Sequence, residues 1–348
     1  MPLDPSSPLA QLLAFAGSSG ASSASLMIIV PLAALAAYLF ARMVVATASF
    51  LRISRGLASI PSAPGGLPLL GHVLPMLTGV RHGKGAWDVM EDWLNAKGPI
   101  VKYNIMGTQG VAVCDPAALK RIFQTGYKMY EKDLALSYRP FLPILGTGLV
   151  TSDGALWQKQ RMLMGPALRV DVLDDIIRIA KKAVDRLCEK LSSHAASGES
   201  VDIEDEFRLL TLQGMGCACL AEDDPVGLMG HPLPRGIMVA CHLQGTHKMY
   251  EAPSEFRPAR FMPGGEYDAF DDATRAYMFV PFIQGPRNCL GQHLALLEAR
   301  VVLSLLLQRY SFRLVDPDNA GRRHPTIIPV GPVGGLKVFV AERGRAAA

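Results

Sequence analysis

The chain has 348 residues, with 35 lysines and arginines against 31 aspartates and glutamates, so its formal net charge is +4. Hydrophobic residues make up 49% of the sequence and charged residues 19%, which excludes an intrinsically disordered chain. The basic residues form no clustered stripe with interleaved aromatic side chains, so nucleic-acid binding has no support. Six scattered cysteines in so long a chain form no disulfide framework and favour a reducing compartment for most of the protein.

Near the N-terminus, residues 26–51 form an apolar segment that contains a single charged residue, Arg42. Residues 26–45 alone supply the roughly 20 helical residues that cross a bilayer core of about 30 Å. Two arginines follow this segment, whereas the tail over residues 1–25 carries one charged side chain, that of Asp4. The positive-inside rule therefore places the larger C-terminal part in the cytosol.

A second interpretation of the N-terminus stays open. Residues 1–60 are rich in serine and alanine and nearly free of acidic residues, as organelle-targeting presequences are. The segment over residues 26–51 is therefore predicted to be a membrane anchor or, as the alternative, a targeting segment.

Beyond the anchor, residues 52–75 contain closely spaced prolines and glycines, which predict a stiff and extended hinge. Residues 76–348 are then the globular part. In it, residues 100–105 and 110–114 predict a short β-hairpin, and the pair Asp115-Pro116 predicts the start of a helix.

Longer helices are predicted in the middle and near the end of the chain. Between Leu173 and Leu191, apolar residues recur at alternating steps of three and four, which predicts an amphipathic helix. Another helix is predicted from a cap at Asp202 through Cys219. Short extended pieces follow, and then a long helix over residues 290–309. The sequence thus predicts a mainly α fold with small β-sheets, of the α+β class.

The most informative stretch is a loop rich in glycine and proline that leads through Cys289 into the last long helix. A cysteine at a helix N-terminus meets unpaired N–H groups and the positive end of the helix dipole, which stabilise a thiolate able to ligate a metal. Gly285 and Gly291 would let a flat cofactor lie against the backbone. Arg287 is suited to an anionic group on such a cofactor.

This loop has the pattern F-x-x-G-x-R-x-C-x-G and resembles the cysteine loop of the cytochrome P450 family. Its specified positions are Phe282, Gly285, Arg287, Cys289 and Gly291. The anchor followed by a proline-rich hinge resembles the microsomal members. Further segments that resemble the family are the W-x-x-x-R of Trp157 and Arg161, the P-E-R-F-like residues 256–261, the strand at residues 234–237 and the closing hairpin at residues 334–340.

The resemblance implies that Cys289 is the axial ligand of a haem, an iron protoporphyrin. Arg161 and Arg287 would then pair with the haem propionates, and Trp157 would donate its indole N–H. Phe282 would pack against the sulfur and shield it, and the two glycines of the loop would line the cofactor site.

As a member of this family, the protein would be a haem-thiolate monooxygenase that hydroxylates a hydrophobic small molecule with O2. Electrons would come from NADPH through a flavin reductase, NADPH-cytochrome P450 reductase, or through a ferredoxin. Lys159, Arg169 and Arg300 are candidate basic contacts for that partner. The compartment would be the endoplasmic reticulum membrane with a cytosolic catalytic domain, or alternatively a plastid.

Two family signatures are missing between the helix predicted to end near Leu220 and the strand near His231. One is the Glu-x-x-Arg pair that binds the arginine matching Arg260, so this arginine is expected to lack a partner. The other is the helix over the distal haem face with its A-G-x-x-T motif. The chain therefore resembles a truncated cytochrome P450 with an internal deletion near residues 221–228. No catalytic residue is assigned, and the alternative function is an inactive haem-binding or misfolded fragment.

Overall fold

The structure is a computed structural model that divides into two units, Met1–Arg55 and Gly56–Ala348, which are described separately. The residues that it describes are 23–68, 70–135, 137–168, 173–208, 217–221, 224–318, 320 and 331–344.

The first unit contains the long helix α1 (Ser23–Gly56), which extends beyond both ends of the predicted apolar segment. Its part from Ile28 to Gly56 reaches a mean hydropathy of 2.2 and has no buried residues, and it is long and apolar enough to cross a membrane. Pro31 lies in the N-terminal part of this helix. The predicted tail over residues 1–25 lies largely outside the described residues.

The second unit mixes helices with short strands, which confirms the predicted α+β class. Its helices are α2 (Val73–Arg81), α3 (Ala86–Lys97), α4 (Pro116–Lys120), α5 (Leu142–Leu145), α6 (Gly154–Met164), α7 (Leu173–Ser197), α8 (Ile203–Arg208), α9 (Asp272–Met278) and α10 (Gln292–Arg309). Its strands are β1 (Ile100–Ile105), β2 (Thr108–Val113), β3 (Tyr130–Lys132), β4 (Val201–Asp202), β5 (Cys217–Ala221), β6 (Asp224–Leu228), β7 (His231–Leu233), β8 (Met238–Cys241), β9 (Tyr310–Leu314) and β10 (Lys337–Glu342).

The largest sheet has five strands in the order β1-β2-β8-β5-β3. Strands β1 and β2 form the predicted antiparallel hairpin. Its turn consists of Met106 and Gly107, whose φ angles of 49° and 88° match the tight turn that fits the twist of paired strands. Asp115 caps α4 as predicted, because its side chain accepts a hydrogen bond from the Ala118 N–H at 2.8 Å.

Within the second unit, part of the predicted hinge pairs with β1. The Ala63 N–H donates to the Lys102 carbonyl at 2.9 Å, and the Lys102 N–H donates to the Pro61 carbonyl at 2.8 Å. Leu57 and Ile60 are fully buried. Residues 57–63 therefore belong to the second unit.

A hydrophobic core around α7 and α10 fixes the position of the last helix. Helix α7 and helix α10 pack against the three-stranded sheet β4-β10-β9, and the buried Leu191, Leu306 and Val338 come from two helices and one strand of that core. The Tyr310 hydroxyl donates to the Cys188 carbonyl at 2.9 Å and ties the end of α10 to α7. Because α10 is fixed at this end, the position of its N-terminus is also fixed.

The helix predicted from Asp202 through Cys219 is wrong at its C-terminal end, whereas residues 209–216 lie outside the described residues. Its start is confirmed, since Asp202 accepts a hydrogen bond from the Glu204 N–H at 3.1 Å and α8 begins at Ile203. The segment Cys217–Ala221, however, is strand β5, which is paired antiparallel to both β3 and β8. Pairing with two neighbouring strands outweighs the helical periodicity of this apolar segment, because tertiary context overrides local propensity.

The expectation that Arg260 lacks a partner is also wrong. Its Nη1 lies 2.6 Å from Glu266 Oε2, and its Nη2 donates to the carbonyls of Ala252 and Glu255 at 2.7 and 3.3 Å. Its guanidinium carbon lies 5.5 Å from the centre of the Tyr250 ring. The chain folds back on itself here through short 3-10 turns, so the carboxylate of Glu266 comes close enough to pair with Arg260.

Candidate functional site

Cys289 lies directly before the last long helix, as the sequence predicts. Helix α10 begins at Gln292 with Gly291 at its N-cap, and the side chain of Cys289 is exposed. The Cys289 N–H donates to the Phe282 carbonyl at 2.8 Å, which closes the loop between them. The sulfur is therefore presented at the surface near the positive end of the helix dipole.

The two glycines of the loop have different surroundings. Gly285 has a φ angle of 75°, and a Cβ there would lie 1.9 Å from the Phe123 carbonyl oxygen, so any side chain would clash with the backbone. Packing between the loop and the turn Arg121–Thr125 thus requires this glycine. A Cβ at Gly291 would have no atom within 4 Å, so the space beside it is open to a flat group.

Ile283 adopts a left-handed backbone conformation within the loop, with a φ angle of 59°. This conformation is unusual for a β-branched residue and costs of order 1–3 kcal/mol. We expect Ile283→Gly to raise the free energy of unfolding by about 1 kcal/mol, because glycine adopts this φ angle without strain. Urea denaturation measures the effect. Ile105→Gly, at a partly buried position in strand β1, is the control and should lower the free energy of unfolding.

Trp157 and Arg161 lie on helix α6, which brings them to the cysteine loop. Trp157 is 6% exposed. Arg161 donates from Nη1 to the Asn288 carbonyl and from Nη2 to Asn288 Oδ1, both at 2.5 Å. Burial lowers the pKa of Arg161, whereas the proximity of Cys289 raises it. Because Arg161 binds Asn288, the residue before Cys289, the guanidinium and the cysteine are neighbours.

Arg287 joins the same group from the loop. Its Nη2 lies 2.8 Å from Asp153 Oδ1, its Nη1 donates to the Tyr130 carbonyl, and its guanidinium carbon lies 5.7 Å from the centre of the Trp157 ring. Its Nε is buried, and no hydrogen-bond acceptor meets it in the described part of the chain. A buried N–H without a protein acceptor can bind an anionic group from outside the chain.

Three side chains at this site were not identified from the sequence. Asp153 caps α6 and pairs with Arg287, Asn288 binds Arg161, and the Lys132 ammonium lies 5.9 Å from the centre of the Trp157 ring. The Asp-Gly pair before α6 is a recognisable cap signal. Contacts between residues more than a hundred positions apart carry no local signal.

Phe282 and two of the three candidate basic contacts lie within the described residues. Phe282 is partly buried, and its carbonyl accepts the hydrogen bond from Cys289. Of the candidate basic contacts for a redox partner, Lys159 and Arg300 are exposed, whereas Arg169 lies outside the described residues. The structure thus brings Trp157, Arg161, Arg287 and Cys289 together at the start of α10.

Comparison with known proteins identifies the family. The sequence model described as Cytochrome P450 matches residues 61–226 and residues 222–328 of the chain. These two segments cover well over half of its length and include the helix of Trp157 and the cysteine loop. The chain belongs to the cytochrome P450 family.

Curated relatives agree with this assignment over shorter stretches. The chain is 35% identical to Protein LUTEIN DEFICIENT 5, chloroplastic, of Arabidopsis thaliana over 111 residues, which are 32% of this chain and 18% of that protein. It is 29% identical to Carotene epsilon-monooxygenase, chloroplastic, of the same plant over 182 residues, 50% and 33% of the two chains. It is 26% identical to Cytochrome P450 2D16 of Cavia porcellus over 195 residues, 53% and 37% of the two chains. The matches therefore span between 18% and 37% of these relatives.

Proposed function

We propose that the protein is a haem-thiolate monooxygenase in which Cys289 ligates the iron of an iron protoporphyrin. The observation that carries this proposal is the exposed sulfur of Cys289 at the N-terminal end of α10, with Arg161 and Arg287 grouped around the same loop. A haem held by a cysteine thiolate supplies the oxygen-activating chemistry needed to hydroxylate an unactivated C–H bond.

The described residues fit such a group in three respects. The Cys289 side chain is accessible, the space beside Gly291 is open, and the buried Arg287 Nε has no acceptor among the described residues. Two guanidinium groups at one edge of the site match the two carboxylates of a protoporphyrin. We therefore assign Arg161 and Arg287 to the propionates and Cys289 to the metal.

The residues around Cys289 would position this cysteine and hold the cofactor. The start of α10 and the neighbouring Arg161 place positive charge close to Cys289, which suits its sulfur to bind a metal. The indole of Trp157 supports the Arg287 guanidinium through a cation–π contact. Phe282 closes the loop through its carbonyl, which keeps the cysteine at the helix start.

A hydrophobic small molecule is the proposed substrate, and electrons are proposed to come from NADPH through a flavin reductase or a ferredoxin. Relatives named Carotene epsilon-monooxygenase and Taurochenodeoxycholic 6 alpha-hydroxylase support an oxygen-inserting reaction. The exposed Lys159 and Arg300 are the proposed basic contacts for an acidic surface of the redox partner.

A second candidate function is haem binding without turnover. The family model matches in two segments that meet at residues 222–226, which supports the proposed internal deletion near residues 221–228. The helix over the distal face belongs to the part of the family pattern that this sequence lacks. Without this helix as the distal wall of the pocket, water has access to the cofactor and oxygen activation is poorly controlled.

Turnover by the purified full chain separates the two functions. With haem, reductase, NADPH and O2, we expect O-dealkylation of a fluorogenic alkoxycoumarin to hydroxycoumarin and an aldehyde at a rate far below that of a full-length relative, because the proposed deletion removes the distal wall of the pocket. Product formed in step with NADPH consumption would establish the monooxygenase. A haem-bound chain that yields no product would establish the second candidate, and a chain that binds no haem would contradict both.

We propose membrane attachment through α1, with the globular unit on the cytosolic side of the endoplasmic reticulum. The length and apolar character of this helix support attachment. A plastid is the alternative compartment, supported by two relatives that are named as chloroplastic. Fractionation of cells that express the tagged chain, with a version lacking residues 1–56 as control, distinguishes the two compartments and tests the attachment.

A further inference from the structure

The carboxylate of Asp153 lies where three segments of the globular unit meet. Its Oδ1 accepts hydrogen bonds from the Gly154 N–H and from Arg287 Nη2, both at 2.8 Å. Its Oδ2 accepts a hydrogen bond from the Lys132 N–H at 2.5 Å. One side chain thereby joins the start of α6, the end of β3 and the cysteine loop.

These contacts exceed what a helix cap requires. A cap needs one side-chain oxygen and one backbone N–H, and an uncharged asparagine or serine serves equally well. Asp153 additionally neutralises the charge of Arg287 at a site where its side chain is 12% exposed and that of Arg287 is 20% exposed. A paired charge is needed here because a guanidinium with little access to water is costly without an anion.

The pairing also decides which donor of Arg287 stays free. Asp153 occupies Nη2, the Tyr130 carbonyl occupies Nη1, and the ring of Trp157 lies along the guanidinium. Nε is then the buried N–H group without an acceptor in the described residues. With both terminal nitrogens held by the chain, the guanidinium cannot turn without breaking an ion pair.

We propose that Asp153 is a positioning residue, which holds Arg287 oriented so that its remaining N–H is available to a carboxylate of the bound porphyrin. This inference rests on the proposed function and deepens it. Asp153 does not touch the cofactor itself, and it acts through Arg287. Its substitution should therefore affect only ligands that carry the carboxylates.

The test compares two porphyrins on the full chain stripped of haem. Asp153→Asn keeps an oxygen that can cap α6 but removes the charge. We expect it to weaken the binding of haem about tenfold, and to leave the binding of haem dimethyl ester, which has no free carboxylates, unchanged. Arg287→Gln should show the same selectivity, and the double variant should bind haem no more weakly than Arg287→Gln alone.

Asp115→Asn is the matched control, because Asp115 caps α4 through the Ala118 N–H. It should alter neither affinity. If Asp153→Asn weakens both porphyrins equally, or adds its full effect to that of Arg287→Gln, Asp153 acts only as a cap and the proposal is overturned.

Failure of haem binding, on which both candidate functions depend, gives a different result, because the unsubstituted chain would then bind neither porphyrin. A double-mutant cycle on thermal unfolding of the ligand-free chain, with Asp153→Asn and Arg287→Gln, decides the pairing in that event. Coupled effects support the orientation of Arg287 by Asp153, and additive effects overturn it. If Asp153→Asn does not fold, Asp153→Glu replaces it in every experiment. Glutamate keeps the charge but displaces the carboxylate oxygens, so we expect the same loss of affinity for haem and none for haem dimethyl ester.

Discussion

Replacing Cys289 with serine is expected to abolish the thiolate-type Soret band of the reduced, carbon monoxide-treated chain. A serine hydroxyl is not ionised near neutral pH and does not replace a thiolate as an iron ligand. The hydrogen bond that closes the loop runs from the backbone N–H of residue 289 to the Phe282 carbonyl, so serine retains it. The far-UV circular dichroism spectrum should therefore stay unchanged while the absorption band is lost.

Cys114→Ser is the matched control for this substitution. Cys114 is buried, and its burial raises the pKa of the thiol, so it stays protonated and is unsuited to bind a metal. Its variant should keep the band, with some loss of stability from the buried hydroxyl. Retention of the band in Cys289→Ser would contradict the assignment of Cys289 as the ligand.

Replacing Arg260 with alanine is expected to lower the free energy of unfolding by about 3 kcal/mol. Arg260 is 7% exposed, pairs with Glu266 at 2.6 Å, and donates to several backbone carbonyls of the segment before it. Alanine leaves those carbonyls without a donor and removes the contact with the Tyr250 ring. Urea denaturation of the chain without haem measures the loss.

Arg257→Ala is the control for Arg260. Arg257 pairs with Glu255 at 2.7 Å, but its side chain is 42% exposed, and ion pairs in water contribute little. We expect a loss of less than about 1 kcal/mol. Equal losses for the two arginines would show that the buried network around Arg260 does not stabilise the fold.

The network around Arg260 also shows where the family pattern misleads. The family binds this arginine through a Glu-x-x-Arg pair, and the absence of that pair from the middle of the chain predicted an unpartnered charge. Glu266 lies only six residues further along the chain and pairs with Arg260. The hydrogen bond from the Glu251 N–H and the Arg260 guanidinium hold the pKa of the Glu266 carboxyl below its ordinary value, so it is charged near neutral pH.

Local features of the fold were predictable because their signals lie within a few residues. The β1–β2 hairpin, the Asp115 cap and the helix that includes Leu173–Leu191 follow from turn residues, capping residues and helical periodicity. Strand β5 was not predictable in this way, because its partners β3 and β8 lie in other segments of the chain, one before it and one after it. Short apolar segments fit a helix or a strand equally well until such partners are known.

In the candidate site, too, the residues in local motifs were predictable and the contacts between distant residues were not. The cysteine loop was found because five specified residues stand at fixed spacing, and Trp157 and Arg161 were found by their own short motif. The pairing of Arg287 with Asp153 and of Arg161 with Asn288 joins residues 134 and 127 positions apart. No sequence pattern around Arg287 or Arg161 predicts which distant carboxylate or amide will bind its guanidinium group.

The structure also leaves apolar surface on the helices that flank the site. Met162 and Leu163 of α6 are 77% and 70% exposed, and Leu303 and Leu307 of α10 are both 48% exposed. We propose that this exposure results from the internal deletion proposed near residues 221–228.

X-ray absorption at the iron edge tests the central claim most directly, since it reports the atoms bound to the metal. The purified chain, loaded with haem in the ferric state, should show one sulfur atom in the first coordination shell of the iron, and Cys289→Ser should lose it. A first shell of nitrogen and oxygen alone in the unsubstituted chain would contradict the assignment of Cys289 as the iron ligand.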